Sequence, residues 1–323
     1  MPAPDLLAKY ARVAIEVGIG LEKGDRVLLV SPIQLPDFTR LLVDTAYEAG
    51  AASVDVVWKD QQSDRARFVS GGDEALDAIS GLSHFRKAAF ELGASYLHVF
   101  AEDPMALAGV DPARISRFQR VNGEFLEPVM RGMGAMEVPW SVISAPIGGW
   151  TETVFPDSDI EEATERLWDS ILRACRVDQD NPVEAWRGHL DELSRRKLYL
   201  TDRHYTSLRY EGPGTDLVLG LPEKAKWVGG EVATPDGRRY APSLPTEEVF
   251  TSPHRLRASG TVRATKPLSY FGDLIDEFSL ELSDGKVVGA IAALGQPVLD
   301  QILGTDDGSS RFGEAAMVPQ SGA

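Results

Sequence analysis

Arg26-Val27-Leu28-Leu29-Val30 is a short, continuously apolar run, the pattern of a strand buried on both faces. Upstream, Leu6 to Leu21 carries apolar residues at helical spacing (Leu7, Tyr10, Ala11, Ala14, Ile15), and Gly20 and Gly24 mark the exit. Downstream, Pro36-Asp37-Phe38 opens a helix through Leu41, Leu42, Thr45 and Ala46 that closes at Gly50. Ser53-Val54-Asp55-Val56-Val57-Trp58 is the next strand. Helical stretches lead to Leu92, and Tyr96-Leu97-His98-Val99-Phe100 follows as a third strand. A long helix lies within Asp111 to Met133, and Trp140-Ser141-Val142-Ile143-Ser144 is a fourth strand. Strand and helix alternating in this order predict right-handed crossovers and a mostly parallel sheet flanked by helices.

The middle of the chain is helical. Asp157-Ser158-Asp159 caps a helix from Ile160 to Arg176, and Asn181-Pro182 starts another through Trp186, Leu190 and Leu193. After Lys197 the texture changes. Ser207 to Tyr210, Asp216 to Leu221, Gly260 to Thr265 and Phe278 to Ala293 read as strands, with Ser283-Asp284-Gly285-Lys286 as a hairpin turn. The expectation is an N-terminal α/β domain over 1–180, then a mixed, mainly antiparallel α+β domain over 181–323 with a short helix near Gln296 to Leu303.

A length of 323 residues fits one large or two ordinary domains. Hydrophobic content of 43% and charged content of 25% are those of a globular protein, and no apolar run approaches a membrane span. Met1-Pro2-Ala3-Pro4-Asp5 leads directly into a helical pattern, so no signal peptide is expected. The single Cys175 excludes an internal disulfide and a cysteine-rich zinc site, and reads as a structural thiol in a cytoplasmic protein. Net charge is −16, from 33 basic and 49 acidic residues. Such a surface repels phosphate backbones and anionic lipids, which argues against nucleic-acid and membrane partners.

Gly18-Ile19-Gly20-Leu21-Glu22-Lys23-Gly24 superficially resembles a dinucleotide loop. It ends a helix and enters a strand, whereas a phosphate site needs strand, glycines and helix N-terminus in that order. The histidines (His84, His98, His189, His204, His254) are scattered with no metal-ligand spacing. His98, in an apolar strand, reads as a core residue. His254 lies six residues past Glu248, so it either lines the same cleft or sits at the surface. Gly81-Leu82-Ser83-His84 lacks the context of a serine nucleophile.

Two acidic clusters stand out instead: Pro245-Thr246-Glu247-Glu248-Val249-Phe250-Thr251 and Phe312-Gly313-Glu314-Ala315-Ala316-Met317-Val318-Pro319. Carboxylates are costly in apolar, strand-like settings unless a cation or a donor meets them. Alternation along a strand puts Thr246, Glu248 and Phe250 on one face and Glu247, Val249 and Thr251 on the other. Pattern alone leaves two readings open: hard oxygen ligands for divalent ions, or a capped loop or edge-strand ion pair.

The Pro245-to-Thr251 motif followed by Pro253, with Gly313-Glu314 and Val318-Pro319, resembles the metallo-aminopeptidases of the aminopeptidase T and aminopeptidase S family. Gly24-Asp25-Arg26-Val27, the Asp178-to-Leu190 segment with Pro182 and Trp186, and Gly229-Gly230-Glu231-Val232 extend the likeness. The resemblance implies a cytoplasmic homodimer that removes N-terminal residues from peptide substrates with two divalent metal ions (Zn, Co or Mn). Carried over by position, it makes Glu248 and Glu314 metal ligands, gives Glu314 the catalytic role, and leaves Glu247 a supporting or structural one.

The remaining family ligands, histidines and an aspartate together with a catalytic tyrosine, would by the same resemblance lie beyond Glu314, and nine residues follow it here. The expectation is therefore a truncated catalytic domain, inactive in this form. Two other readings follow: a non-catalytic dimeric scaffold lacking a complete metal site, and a small-molecule binder using the crevice at the carboxyl ends of the N-terminal parallel strands.

Overall fold

The computed structural model describes residues 2–270 and 272–319, so the end of the chain, where truncation is expected, lies outside the described residues. Two compact units emerge. The first takes the chain up to Asp191 together with Gly230–Thr246; the second takes Glu192–Gly229 and the chain from Glu247 on.

In the first unit, α1 (Pro4–Val13) runs on as a wider turn over Ala14–Gly18 and leads to β1 (Arg26–Pro32), α2 (Pro36–Glu48) and β2 (Ser53–Lys59). Three helices follow, α3 (Gln61–Ser70), α4 (Asp73–Asp77) and α5 (Gly81–Glu91), then β3 (Ser95–Phe100), α6 (Pro112–Gly134) and β4 (Trp140–Ser144). The strands form one parallel sheet in the order β2-β1-β3-β4. The expected mostly parallel sheet is therefore observed.

The apolar run of β1 has a direct structural cause. Side chains alternate between sheet faces. Leu28 and Val30 pack with Ala89, Phe90, Tyr96 and Trp140 on one face, while Val27 and Leu29 join Tyr10, Phe38, Leu42 and Trp168 on the other. Each fully buried Val or Leu contributes on the order of 2 kcal/mol of transfer free energy, and the one polar side chain buried in the strand, Ser31, is met by the Thr39 hydroxyl at 2.7 Å.

Three further helices complete the helical part: α7 (Gly148–Val154), α8 (Ile160–Ala174) and α9 (Pro182–Asp202). Asp159 caps α8, its carboxylate accepting the Glu161 N–H at 2.9 Å. Cys175 is buried against Tyr10, with Sγ 3.7 Å from the phenol oxygen, and burial pushes its thiol up to about 12. A structural thiol is what the sequence implies, and that is its setting.

The single division expected at 180/181 is not how the chain runs. Residues 230–246 return to the first unit, where Arg238 donates to both carboxylate oxygens of Asp25 at 2.7 and 3.1 Å. Ala241 N–H donates to Val17 O at 2.9 Å, and Ser243 bridges Val142 in β4. A bidentate ion pair with side chains only 17% and 13% exposed is well shielded from salt.

The second unit starts within α9, at Glu192, and continues with β5 (Ser207–Gly212) and β6 (Thr215–Gly220); β7 (Val232–Ala233) and β8 (Arg239–Tyr240) lie in the returning segment. Then come β9 (Val249–Thr251), β10 (Ala258–Arg263), β11 (Leu268–Tyr270), β12 (Asp273–Ile275), β13 (Ser279–Ser283), β14 (Lys286–Ile291), α10 (Gln296–Leu303) and β15 (Ala315–Met317). The main sheet has the order β14-β13-β10-β6-β5 and every ladder in it is antiparallel. Asp284 and Gly285 both have positive φ, as a two-residue hairpin turn requires. Leu217, Leu219, Ala258, Leu282 and Ala315 form one core of this unit, and Leu193, Leu221, Trp227 and Val249 another.

Candidate active site

Two short strands set the positions of the sequence-derived glutamates. β9 pairs antiparallel with β15, matching Val249 to Met317, Phe250 to Ala316 and Thr251 to Ala315. Its other edge is held by Val228, which exchanges two backbone hydrogen bonds of 2.8 Å with Phe250, and by the Thr251 hydroxyl donating to Lys226 O at 2.8 Å. Gly229, at φ 143°, lies so close that a Cβ would collide with the Glu248 carbonyl and come within 2.9 Å of Val249 Cα. No side chain can be accommodated there without moving the backbone that carries Glu248.

The expected Thr246–Thr251 strand is therefore shorter than its pattern, because ladder pairing starts only at Val249. Glu248 and Glu314 each sit one residue before a strand. Continuing the alternation by one residue places both on the face where Phe250 pairs with Ala316, at opposite ends of the ladder. Four rungs separate them, roughly 13 Å of strand rise, and Glu314 still acts on Glu248. Glu248 is half-buried and Glu314 exposed. Burial, and secondarily the Glu314 charge, raises the Glu248 carboxyl above its ordinary value. Like charges converging on a partly desolvated carboxyl are relieved by a bound cation.

The opposite face of the ladder is different in kind. Val249 and Met317 line a groove of about 610 Å³ with Tyr199, Leu200, Arg195 and Arg196. The apolar groove and the glutamates thus occupy opposite faces of one two-stranded ribbon.

Histidine does not complete the glutamate pair. His254, an open alternative in the sequence, accepts the Leu256 N–H at Nδ1 (3.2 Å), and its backbone N–H donates to Gly220 O. His189 contacts Thr246 O and Arg176. Among the described residues, no group of three or more His, Cys, Asp or Glu side chains is arranged to hold a metal ion. In donor type and charge the pair suits a divalent ion. Sequence reasoning missed Gly229 as the residue that fixes the Glu248 backbone; the signal was the Gly229-Gly230 doublet.

Comparison with known proteins gives the class. Aminopeptidase T of Thermus thermophilus is 41% identical over 314 residues, which are 97% of this chain and 77% of that protein. Aminopeptidase AmpS of Bacillus subtilis (strain 168) is 37% identical over the same shares. The solved structure of wild-type AmpT from Thermus thermophilus matches with a TM-score of 0.91 at 40% identity, covering 97% of this chain and 78% of that one. These likenesses define a peptide-bond hydrolase. Residues 4–323 match the thermophilic metalloprotease family, M29, and the chain belongs to that family.

The matches take in 97% of this chain and 77–78% of the relatives' own length. No helix among the described residues is long and apolar enough to cross a membrane.

Proposed function

We propose that the protein is a metal-dependent aminopeptidase whose second unit is the catalytic one, with Glu248 and Glu314 as ligands of a centre of two divalent ions. The observation that carries this reading is the glutamate pair itself: two carboxylates on one face of the β9–β15 ladder, one raised in pKa by burial and by its neighbour. Carboxylate oxygens suit Zn²⁺, Co²⁺ and Mn²⁺. When bound, such ions acidify a water and polarise the scissile carbonyl.

The chain's own residues divide the remaining work. Glu248, fixed by the close approach of Gly229, supplies an oxygen ligand from a partly desolvated position. Glu314, exposed at the far end of the ladder, can accept the water's proton on a carboxylate oxygen and return it to the departing amine. The acidic chain favours a substrate with a cationic N-terminus. A cytoplasmic homodimer belongs to the same proposal, resting on the family likeness.

Hydrolysis of short peptides with a free N-terminal amine should disappear on chelation and return with Co²⁺, Zn²⁺ or Mn²⁺. Glu248→Gln should lower kcat/KM at least a hundredfold, about 3 kcal/mol of transition-state stabilisation. Equal, chelator-insensitive activity in wild type and Glu248→Gln would sink the proposal.

The second reading is a non-catalytic dimeric scaffold, favoured by the lack of a third metal ligand among the described residues. Native mass spectrometry with metal analysis separates the two. A stable metal-free dimer supports the scaffold, and stoichiometric metal supports the peptidase.

A further inference from the structure

The strand order β2-β1-β3-β4 reverses direction beside β1: the chain passes from β1 to β2 on one side, then returns to β3 on the other. In open parallel sheets such a switch point leaves a crevice at the carboxyl ends of the strands, where ligands bind. In this protein a set of charged groups gathers there without balancing. Register puts Val57, Val30 and His98 in one row, with Lys59 and Phe100 two residues further along their strands on the same face. That face is covered by α5, which contributes Arg86.

Arg86 is the unusual member. Its guanidinium is desolvated enough to lower its pKa; the Tyr96 phenol opposes that shift, and no carboxylate contributes to it. Its Nε is buried and has no hydrogen-bond partner among the described residues. The Tyr96 hydroxyl is occupied in donating to the Arg86 carbonyl. Lys59 is paired with Glu102, so the cluster of Lys59, Arg86, Glu102 and neutral His98 carries two positive charges against one negative. A buried donor without an acceptor is costly and calls for a group to meet it.

We infer that the carboxyl end of the first unit's parallel sheet binds a small molecule bearing an oxyanion, a phosphate or a carboxylate, between Arg86, Lys59 and His98. The guanidinium fork matches two oxygens of either group. His98 offers a ring N–H, and its ring already responds to Lys59, Arg86 and Glu102. Phe100, with its ring centroid 6.2 Å from that of His98 and 42% exposed, offers an apolar wall to the rest of the ligand. The missing glycine fingerprint argues only against a dinucleotide pyrophosphate on a helix N-terminus. A single oxyanion held by side chains needs no such loop.

Titration calorimetry of the full chain with inorganic phosphate, and separately with acetate, tests the site and distinguishes the two sources. At least one probe should bind at one site per chain, and the His98 ring should titrate at higher pH with that probe present, followed by NMR. Lys59, Arg86 and Glu102 are the charged groups facing the ring, and only a bound anion changes their balance. Arg86→Gln should weaken binding by at least about tenfold. Glu102→Gln, at a position one-third exposed, should tighten it several-fold by releasing Lys59 to the ligand. No binding of either probe at about 10 mM, wild-type affinity in Arg86→Gln, or unchanged or weaker affinity in Glu102→Gln each overturns the inference. The Glu102 variant keeps the test decisive if Arg86→Gln does not fold.

Discussion

His98 shows how one residue can be placed correctly by its sequence and still be incompletely described. An apolar strand implies a core histidine, and burial does dominate its titration, lowering the imidazole from 6.5 to about 4. The unfolded chain takes up this proton near the ordinary value, the folded chain only near 4, so the unfolded state binds more protons in between. Stability from this group is complete above about pH 6.5 and is lost as pH falls towards 4. The loss amounts to at most about 3 kcal/mol. His98→Gln should flatten the decline in urea midpoint between pH 7 and pH 4, and an unchanged slope would show that other groups carry it. Cys175 is simpler. With its thiol pushed up to about 12 by burial, it should react with iodoacetamide only as the protein unfolds, and rapid labelling of the native chain would contradict its setting.

Among the elements, β9 is the most sensitive to its neighbours, since it has three residues and is held on both edges. Gly229→Ala combines a positive φ with a backbone collision at Glu248, and should cost on the order of 2 kcal/mol. Thermal unfolding reads that loss, and metal titration should show weakened binding in the same variant; wild-type values in both would mean the backbone relaxes freely. The contrast with β1 explains what the sequence could reveal. Arg26–Pro32 is legible alone because a strand buried on both faces must be apolar at successive positions. Val249–Thr251 is defined by partners at Val228 and Ala315–Met317, distant in sequence, so Thr246–Glu248 looks like strand and is not. Helix α9 continues past Lys197 to Asp202 because Leu198-Tyr199-Leu200 suit a helix as well as a strand. Helix α7 opens on Gly148-Gly149, poor helix formers, yet a Cβ at Gly149 would collide with Asp103, a constraint invisible in one dimension. At the site, the two glutamates were legible as misplaced charges. That the apolar groove occupies the ribbon's other face was not, because it depends on the β9–β15 register.

For the whole molecule, the excess of acidic residues acts as a field rather than as contacts. A charge of −16 attracts a cationic N-terminus at long range, and salt screens that attraction with a Debye length of about 10 Å at 0.1 M. The effect scales with the net charge of the substrate. A lysine-initiated peptide with an amidated C-terminus is strongly cationic, whereas a leucine-initiated peptide with a free carboxylate is neutral overall. Raising sodium chloride from about 10 to about 300 mM should therefore lower kcat/KM for the first several-fold, while the second changes little. Association is what the field alters, so kcat at saturating peptide should be the same at both salt concentrations. If both peptides lost activity equally, or if kcat fell along with kcat/KM, salt would be acting on the site or its metal. The charge would then serve solubility alone.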